Sequence, residues 1–197
     1  MLNLKNIYFL LIVPVFLISV DSIAAPPAPL QYREARFKEL ESINILEKLF
    51  AEDSGKIRLF LLMSPTWSVC IRGARWVQKN ILDKYPDADF NIYAVWMPII
   101  RGDSRLAVPR AVALLPDLRV SHFWDPTRIS GNFFKKNIVP DVRASVAWDM
   151  YFLYDKDAKW DKIPDPLIDK GRTIIATSGS LGYEFGELIK QKNESTK

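Results

Sequence analysis

Cysteine is nearly absent from the chain, which carries one, Cys70, among 197 residues. A single thiol closes no disulfide within the chain, supports no two-thiol redox cycle and leaves a soft-metal site short of ligands. Histidine is equally scarce, with His122 alone, and no motif in the sequence places a Ser or Cys nucleophile against it. The apolar run at residues 7–20 is broken by Pro14 and falls short of the roughly 20 residues that a spanning helix needs. Like charges never gather. The 27 Lys and Arg are interspersed with 23 Asp and Glu for a net charge of +4, which excludes a nucleic-acid-binding stripe and a polybasic membrane patch. No internal repeat or low-complexity block is present. "SGSLGYEFGE" around Ser178 has glycines but lacks the G-x-x-x-x-G-K-[ST] spacing that cradles phosphate.

What is present begins with a leader. Lys5 precedes the apolar run, and Ser22 and Ala24 occupy the positions a signal peptidase reads, so cleavage is expected after Ala24 or Ala25. No cysteine stands there to carry a lipid. The expectation is an exported protein, periplasmic or secreted, with no membrane attachment after cleavage. In such a compartment a lone thiol is buried and inert, reactive, or paired with another molecule. The domain reading is a signal peptide at residues 1–25, a Pro-rich extended linker at 26–35, one domain at 36–192 and a polar tail at 193–197. A 49% hydrophobic content suits one compact core.

Periodicity then orders the elements. Phe37, Leu40, Ile43, Leu46 and Phe50 recur at helical spacing, with Gly55 as the stop. "KIRLFLLMSP" is a near-continuous apolar run, the pattern of a strand covered on both faces. Pro65 and Ser68 make a turn and a helix start, and the helix runs towards Pro86. "DFNIYAVWMPII" is a second buried strand, and "SRLAVPRAVALLPD" a helix with Pro109 in its first turn. "LRVSHFWDP" is a short strand, "TRISGNFFKKNIV" a short helix, "SVAWDMYFLYDKDAKW" a strand, "GRTIIATSGS" the last strand and "LGYEFGELIKQKNESTK" a terminal helix. Strands alternating with helices predict an α/β layer structure around a central sheet.

A buried strand, a Pro-containing turn, a cysteine at a helix start, further strands and helices, a hairpin and a final helix resemble the thioredoxin fold. "SPTWSVCIRGA", "HFWDP" and "AWDMYFLYD" are together similar to exported bacterial thioredoxin-like proteins of poorly defined function. The resemblance covers residues 36–192. It implies a three-layer α/β/α sandwich with a central mixed sheet and an inserted strand–helix segment at about 118–142. In that family two cysteines in Cys-x-x-Cys open the helix, a nucleophile and a resolving thiol. Here the motif becomes Trp67-Ser68-Val69-Cys70, with Trp at the nucleophile position. Where the fold usually has a cis-proline, this chain has Ser145, Val146 and Ala147, and a trans peptide is expected at Val146.

The candidate site follows from these residues. Trp67, Trp96, Trp124 and Trp148, four of six tryptophans, fall at strand ends, which in an open α/β sheet converge on one edge. With Ser68 they are candidates to line an apolar cleft for a protein or peptide. Trp96 and Trp148 read as the deeper pair and Trp67 as the exposed one. Cys70 is the candidate catalytic residue of a monothiol reading. His122 and Asp125 would join Cys70 in a metal-delivery reading, although a hydrogen bond between His122 and Asp125 is the plainer role. No cofactor is expected. The functional expectation is therefore a binding or accessory module without dithiol activity. A monothiol redox or thiol-carrier protein is the alternative and a metal-delivery protein the third reading.

Overall fold

The computed structural model describes residues 36–195. The leader and the Pro-rich linker lie outside the described residues, as does the end of the polar tail. No helix among the described residues is long and apolar enough to cross a membrane.

Two apolar runs form the centre of the sheet. Strand β2 (Ile57–Met63) is buried at every position. It pairs in parallel with β3 (Phe90–Trp96), from Ile57 opposite Phe90 to Met63 opposite Trp96. On its other side β2 pairs antiparallel with β5 (Met150–Trp160). β3 pairs in parallel with β4 (Val120–Trp124), and β5 pairs antiparallel with β6 (Pro164–Arg172). The short strand β1 (Lys38–Glu39) closes the far edge against β4. The sheet order is β1-β4-β3-β2-β5-β6, so the inserted strand separates β1 from β3.

Alternation along the strands divides the core into two layers. Leu59, Leu61, Ile92, Trp96, Trp124 and Leu153 face one side. There they meet α2 (Ser68–Val77), α3 (Val108–Val112) and α5 (Ser178–Ser195). Phe60, Leu62, Tyr93, Val95, Phe123 and Phe152 face the other side, under α1 (Ile43–Glu52) and α4 (Ile129–Asn137). The result is the expected α/β/α sandwich, with β4 and α4 as its inserted pair.

One charged side chain interrupts the apolar centre. Arg58 is fully buried in β2. Its Nη1 donates to Phe50 O (2.9 Å), and its Nη2 to Asp155 O (2.6 Å), Lys156 O (3.1 Å) and Ala158 O (2.9 Å). The guanidinium also lies 4.0 Å from the Phe50 ring centroid. It fastens α1 to the irregular stretch of β5.

Three element boundaries differ from the sequence reading. Residues 37–40 are edge strand and its flanks instead of helix, because Ser42 caps α1 through Asn44 N (3.2 Å) while Leu40 N bonds Trp124 O (2.7 Å). The last strand is β6 at Pro164–Arg172, ending where the sequence placed its start. Its Pro164 and Pro166 hide a strand that lies at the sheet edge, where a missing N–H is tolerated. The helix after Cys70 passes into a π-helical turn, Gln78–Leu82, and ends before Pro86.

Candidate functional site

The turn between β2 and α2 is built around one carboxylate. Asp103, in the turn after β3, accepts from Ser64 Oγ (2.8 Å), Thr66 N (3.1 Å) and Thr66 Oγ1 (2.6 Å) through Oδ1. Its Oδ2 accepts from Ile99 N (2.8 Å) and Ile100 N (2.9 Å). Ser64 Oγ in turn accepts from Trp67 N (3.0 Å). This network fixes the backbone that carries Trp67 and hands the chain into α2.

Cys70 lies in the first turn of α2 and is fully buried. Its Sγ accepts from Ser64 N at 3.4 Å. Burial pushes the thiol far above its ordinary range, the charge of Asp149 pushes the same way, and the Ser64 N–H opposes both without prevailing. Asp149, also fully buried, takes Ile174 N at 3.3 Å on Oδ1, while its Oδ2 has no hydrogen-bond partner. Burial raises the carboxyl of Asp149 as well, against the pull of Ile174 N–H and Arg172. A buried, protonated thiol beside a buried carboxyl is the opposite of the exposed, electropositive setting that makes a cysteine reactive.

The tryptophans part company. Trp67 is 37% exposed and meets Trp148 edge to face, with centroids 6.0 Å apart. Trp148, expected deep in the core, is only partly buried. It touches both core layers and supports the Arg172 guanidinium 5.4 Å from its ring centroid. Trp96 and Trp124 are buried in the layer under α2 and α3. They occupy paired positions on β3 and β4, so alternation points both inward. The expected four-indole cleft is therefore a two-indole cleft. Ser68 is exposed at the first position of α2.

That cleft has a volume of about 540 Å³. Trp67 and Trp148 join Ile99 and Ile100 along it, and Arg128, Arg143 and Arg172 add three cations. Residues 143–146 line it too and make no hydrogen bond, backbone or side chain, among the described residues. Gly131 sets the position of this segment. Its carbonyl accepts from Ala147 N (2.9 Å), and a Cβ there would come within 3.0 Å of Ala147 O and of Met97 Sδ. The peptide bonds preceding β5 are trans, as expected; the cis bonds among the described residues are Asp165–Pro166 and Arg172–Thr173.

His122 and Asp125 serve other ends than the sequence suggested. Instead of bonding Asp125, His122 Nδ1 accepts from Trp96 Nε1 (3.3 Å). Its Nε2 lies 3.0 Å from Leu115 O, an atom that can only accept, so Nε2 carries the proton. Asp125 caps α4, accepting from Ile129 N (2.9 Å), Ser130 N (2.8 Å) and Ser130 Oγ (2.6 Å). A helix start draws a carboxylate more strongly than a neutral imidazole does. Among the described residues no group of three or more His, Cys, Asp or Glu could hold a metal. A second cavity, about 340 Å³, lies by the β1–β4 edge with His122 in its wall, and both of that ring's nitrogens are committed.

Burial holds the His122 imidazole down at about 4 from 6.5. The folded protein refuses a proton that the unfolded chain takes up below pH 6.5, so stability is full above 6.5 and falls as pH drops towards 4. At about 1.4 kcal/mol per pH unit, this amounts to about 3 kcal/mol. Urea unfolding at pH 7 and pH 4.5 checks it. The acid-side loss attributable to His122 should disappear in His122→Asn, and an unchanged pH slope in that variant would refute the assignment.

Asp103, Asp149 and the three arginines were not found by sequence reasoning. Asp149 had one signal, an acid directly before a buried strand in "AWDMYFLY"; the arginines come from three distant segments and had none.

No family model and no curated protein matches this chain. Among solved structures, it is similar to a candidate protein disulfide isomerase from Bacteroides thetaiotaomicron, at 18% identity over 75% of this chain and 82% of the other, with a TM-score of 0.51. A thioredoxin-like protein in its oxidised form aligns at 20% identity over 68% of this chain and 80% of the other, with a TM-score of 0.45. The thioredoxin domain of a thiol-disulfide oxidoreductase from Bacteroides vulgatus aligns at 13% over 66% and 82%, with a TM-score of 0.40. With its mixed six-stranded sheet, its inserted β4–α4 pair and a helix that opens on Trp67-Ser68-Val69-Cys70, the chain is a thioredoxin-like fold protein.

Proposed function

We propose that this is an exported binding or accessory module that carries out no dithiol chemistry and takes an extended segment of a partner protein into the cleft beside Trp67 and Trp148. The observation that carries the reading is the exchange at the start of α2. An exposed indole stands where the fold's nucleophile would be, and the remaining thiol is sealed beneath it. Residues 143–146 support a peptide over a small rigid ligand, because they line the cleft and their backbone makes no hydrogen bond among the described residues that an extended chain would have to displace. The buried thiol gives the monothiol alternative no support, and the separate commitments of His122 and Asp125 give the metal-delivery reading none.

Fluorescence anisotropy with labelled extended peptides tests the binding role. Peptides with an aromatic or branched centre should bind, and Trp67→Ala with Trp148→Ala should weaken them at least tenfold, as for aromatic anchors at interfaces. Binding that survives both substitutions overturns the reading. Export is checked on the same material by N-terminal sequencing: a start at Ala25 or Pro26 supports it, and a start at Met1 refutes it.

A further inference from the structure

Three arginines from separate segments line the same cleft. Arg128 stands at the start of α4, Arg143 in the segment before β5 and Arg172 at the end of β6. None of them forms an ion pair among the described residues. The pairs that do form are elsewhere, among them Lys48–Glu52, Arg105–Glu39, Arg119–Asp117 and Lys192–Asp89. Among the described residues the side chains of Arg128 and Arg143 make no hydrogen bond, and Arg172 Nε bonds Trp148 O at 3.4 Å. No carboxylate lines the cleft. Asp103 accepts five hydrogen bonds, Asp125 caps α4, and Asp149, which feels the Arg172 charge, is buried outside the cleft lining.

Taking the cleft as the binding site just proposed, we propose that it selects an acidic segment, one in which glutamate or aspartate side chains flank an apolar residue. Three like charges around one cleft repel each other, and a ligand carboxylate relieves that repulsion while it gains charge-assisted hydrogen bonds. The guanidinium fork matches a carboxylate with two parallel donors. The floor decides among the anions that could supply this charge. Trp67, Trp148, Ile99 and Ile100 offer apolar surface that a free phosphate leaves uncovered. A peptide with an apolar centre and acidic flanks uses the floor and the rim together.

The test uses the full chain and three synthetic peptides that share a central Leu-Phe-Leu and differ only in flanks of glutamate, glutamine or lysine. Isothermal titration should find the glutamate peptide bound about tenfold more tightly than the glutamine peptide and the lysine peptide weakest. That advantage should shrink as salt rises, since exposed charge pairs are screened over about 8 Å at physiological ionic strength. Arg128→Gln with Arg143→Gln should bring the glutamate peptide down to the glutamine level with no loss of thermal stability. Arg128→Glu with Arg143→Glu should turn the preference to the lysine peptide, which a merely structural role would not do. Equal affinity for glutamate and glutamine peptides, still lost in Trp67→Ala, overturns the charge selection and leaves the binding role standing. Binding of all three peptides that is indifferent to Trp67→Ala overturns the binding role itself. Uptake of inorganic phosphate or of phosphatidylglycerol vesicles with no peptide bound overturns both.

Discussion

Cys70 in the native protein should react with a disulfide reagent such as DTNB at least about a thousandfold more slowly than in urea, where it should react at once. Two physical effects multiply. At neutral pH an ordinary free cysteine is a thiolate for a few per cent of the time, whereas burial and the neighbouring Asp149 push Cys70 well above the ordinary range. Reagent must also reach a sulfur with no exposed surface, which requires the start of α2 to open. Openings of core elements approach the free energy of global unfolding, on the order of 5–15 kcal/mol, so the reactive fraction is small. Cys70→Ser serves as the blank. Rapid native labelling below pH 7 would overturn the buried-thiol account and return the monothiol alternative to first place.

Replacing Arg58 with Met should remove about 3–5 kcal/mol of folding stability. The methylene stem and volume are kept, but the backbone carbonyls of Phe50, Asp155 and Ala158 lose the Arg58 donor, two of them in buried surroundings, while Lys156 O keeps the N–H of Gly55 at 3.0 Å. Each unsatisfied buried acceptor costs about 1–3 kcal/mol, partly recovered if water enters. At about 2–4 °C per kcal/mol for a domain of this size, the midpoint of thermal unfolding should fall by about 10 °C. Arg58→Lys retains the charge without the fork and cannot reach both α1 and β5, so it should lose most of the same stability. A loss below about 1 kcal/mol in either variant would show that the carbonyls find other partners.

The ease of reading the fold from the sequence tracked burial. β2 and β3 announced themselves because both faces are covered, and the pattern tolerated even Arg58 within it. β1 was hidden because Phe37 and Leu40, three apart, fit a helix as well as an edge strand, and only the pairing with β4 decides between them. β6 was hidden because an edge strand can carry prolines and charges. At the site, Trp67 and Cys70 were legible because the motif is local. Which tryptophans face the cleft was not, since that depends on strand parity and on what lies above each face. Arg128, Arg143 and Arg172 are brought together only by the packing of α4, β5 and β6.

The Asp103 network also says how the cleft can respond to what enters it. One carboxylate binds the Trp67 turn and the Ile99–Ile100 backbone into a single stiff jaw. Residues 143–146 form the other wall, tethered at its ends through Val142 N to Val139 O and Ala147 N to Gly131 O. In the proposed binding role, any backbone adjustment would fall on residues 143–146 and not on the aromatic platform. In that proposed role, such a division would set one fixed contact at Trp67 and leave the accommodation of ligand bulk to the other wall.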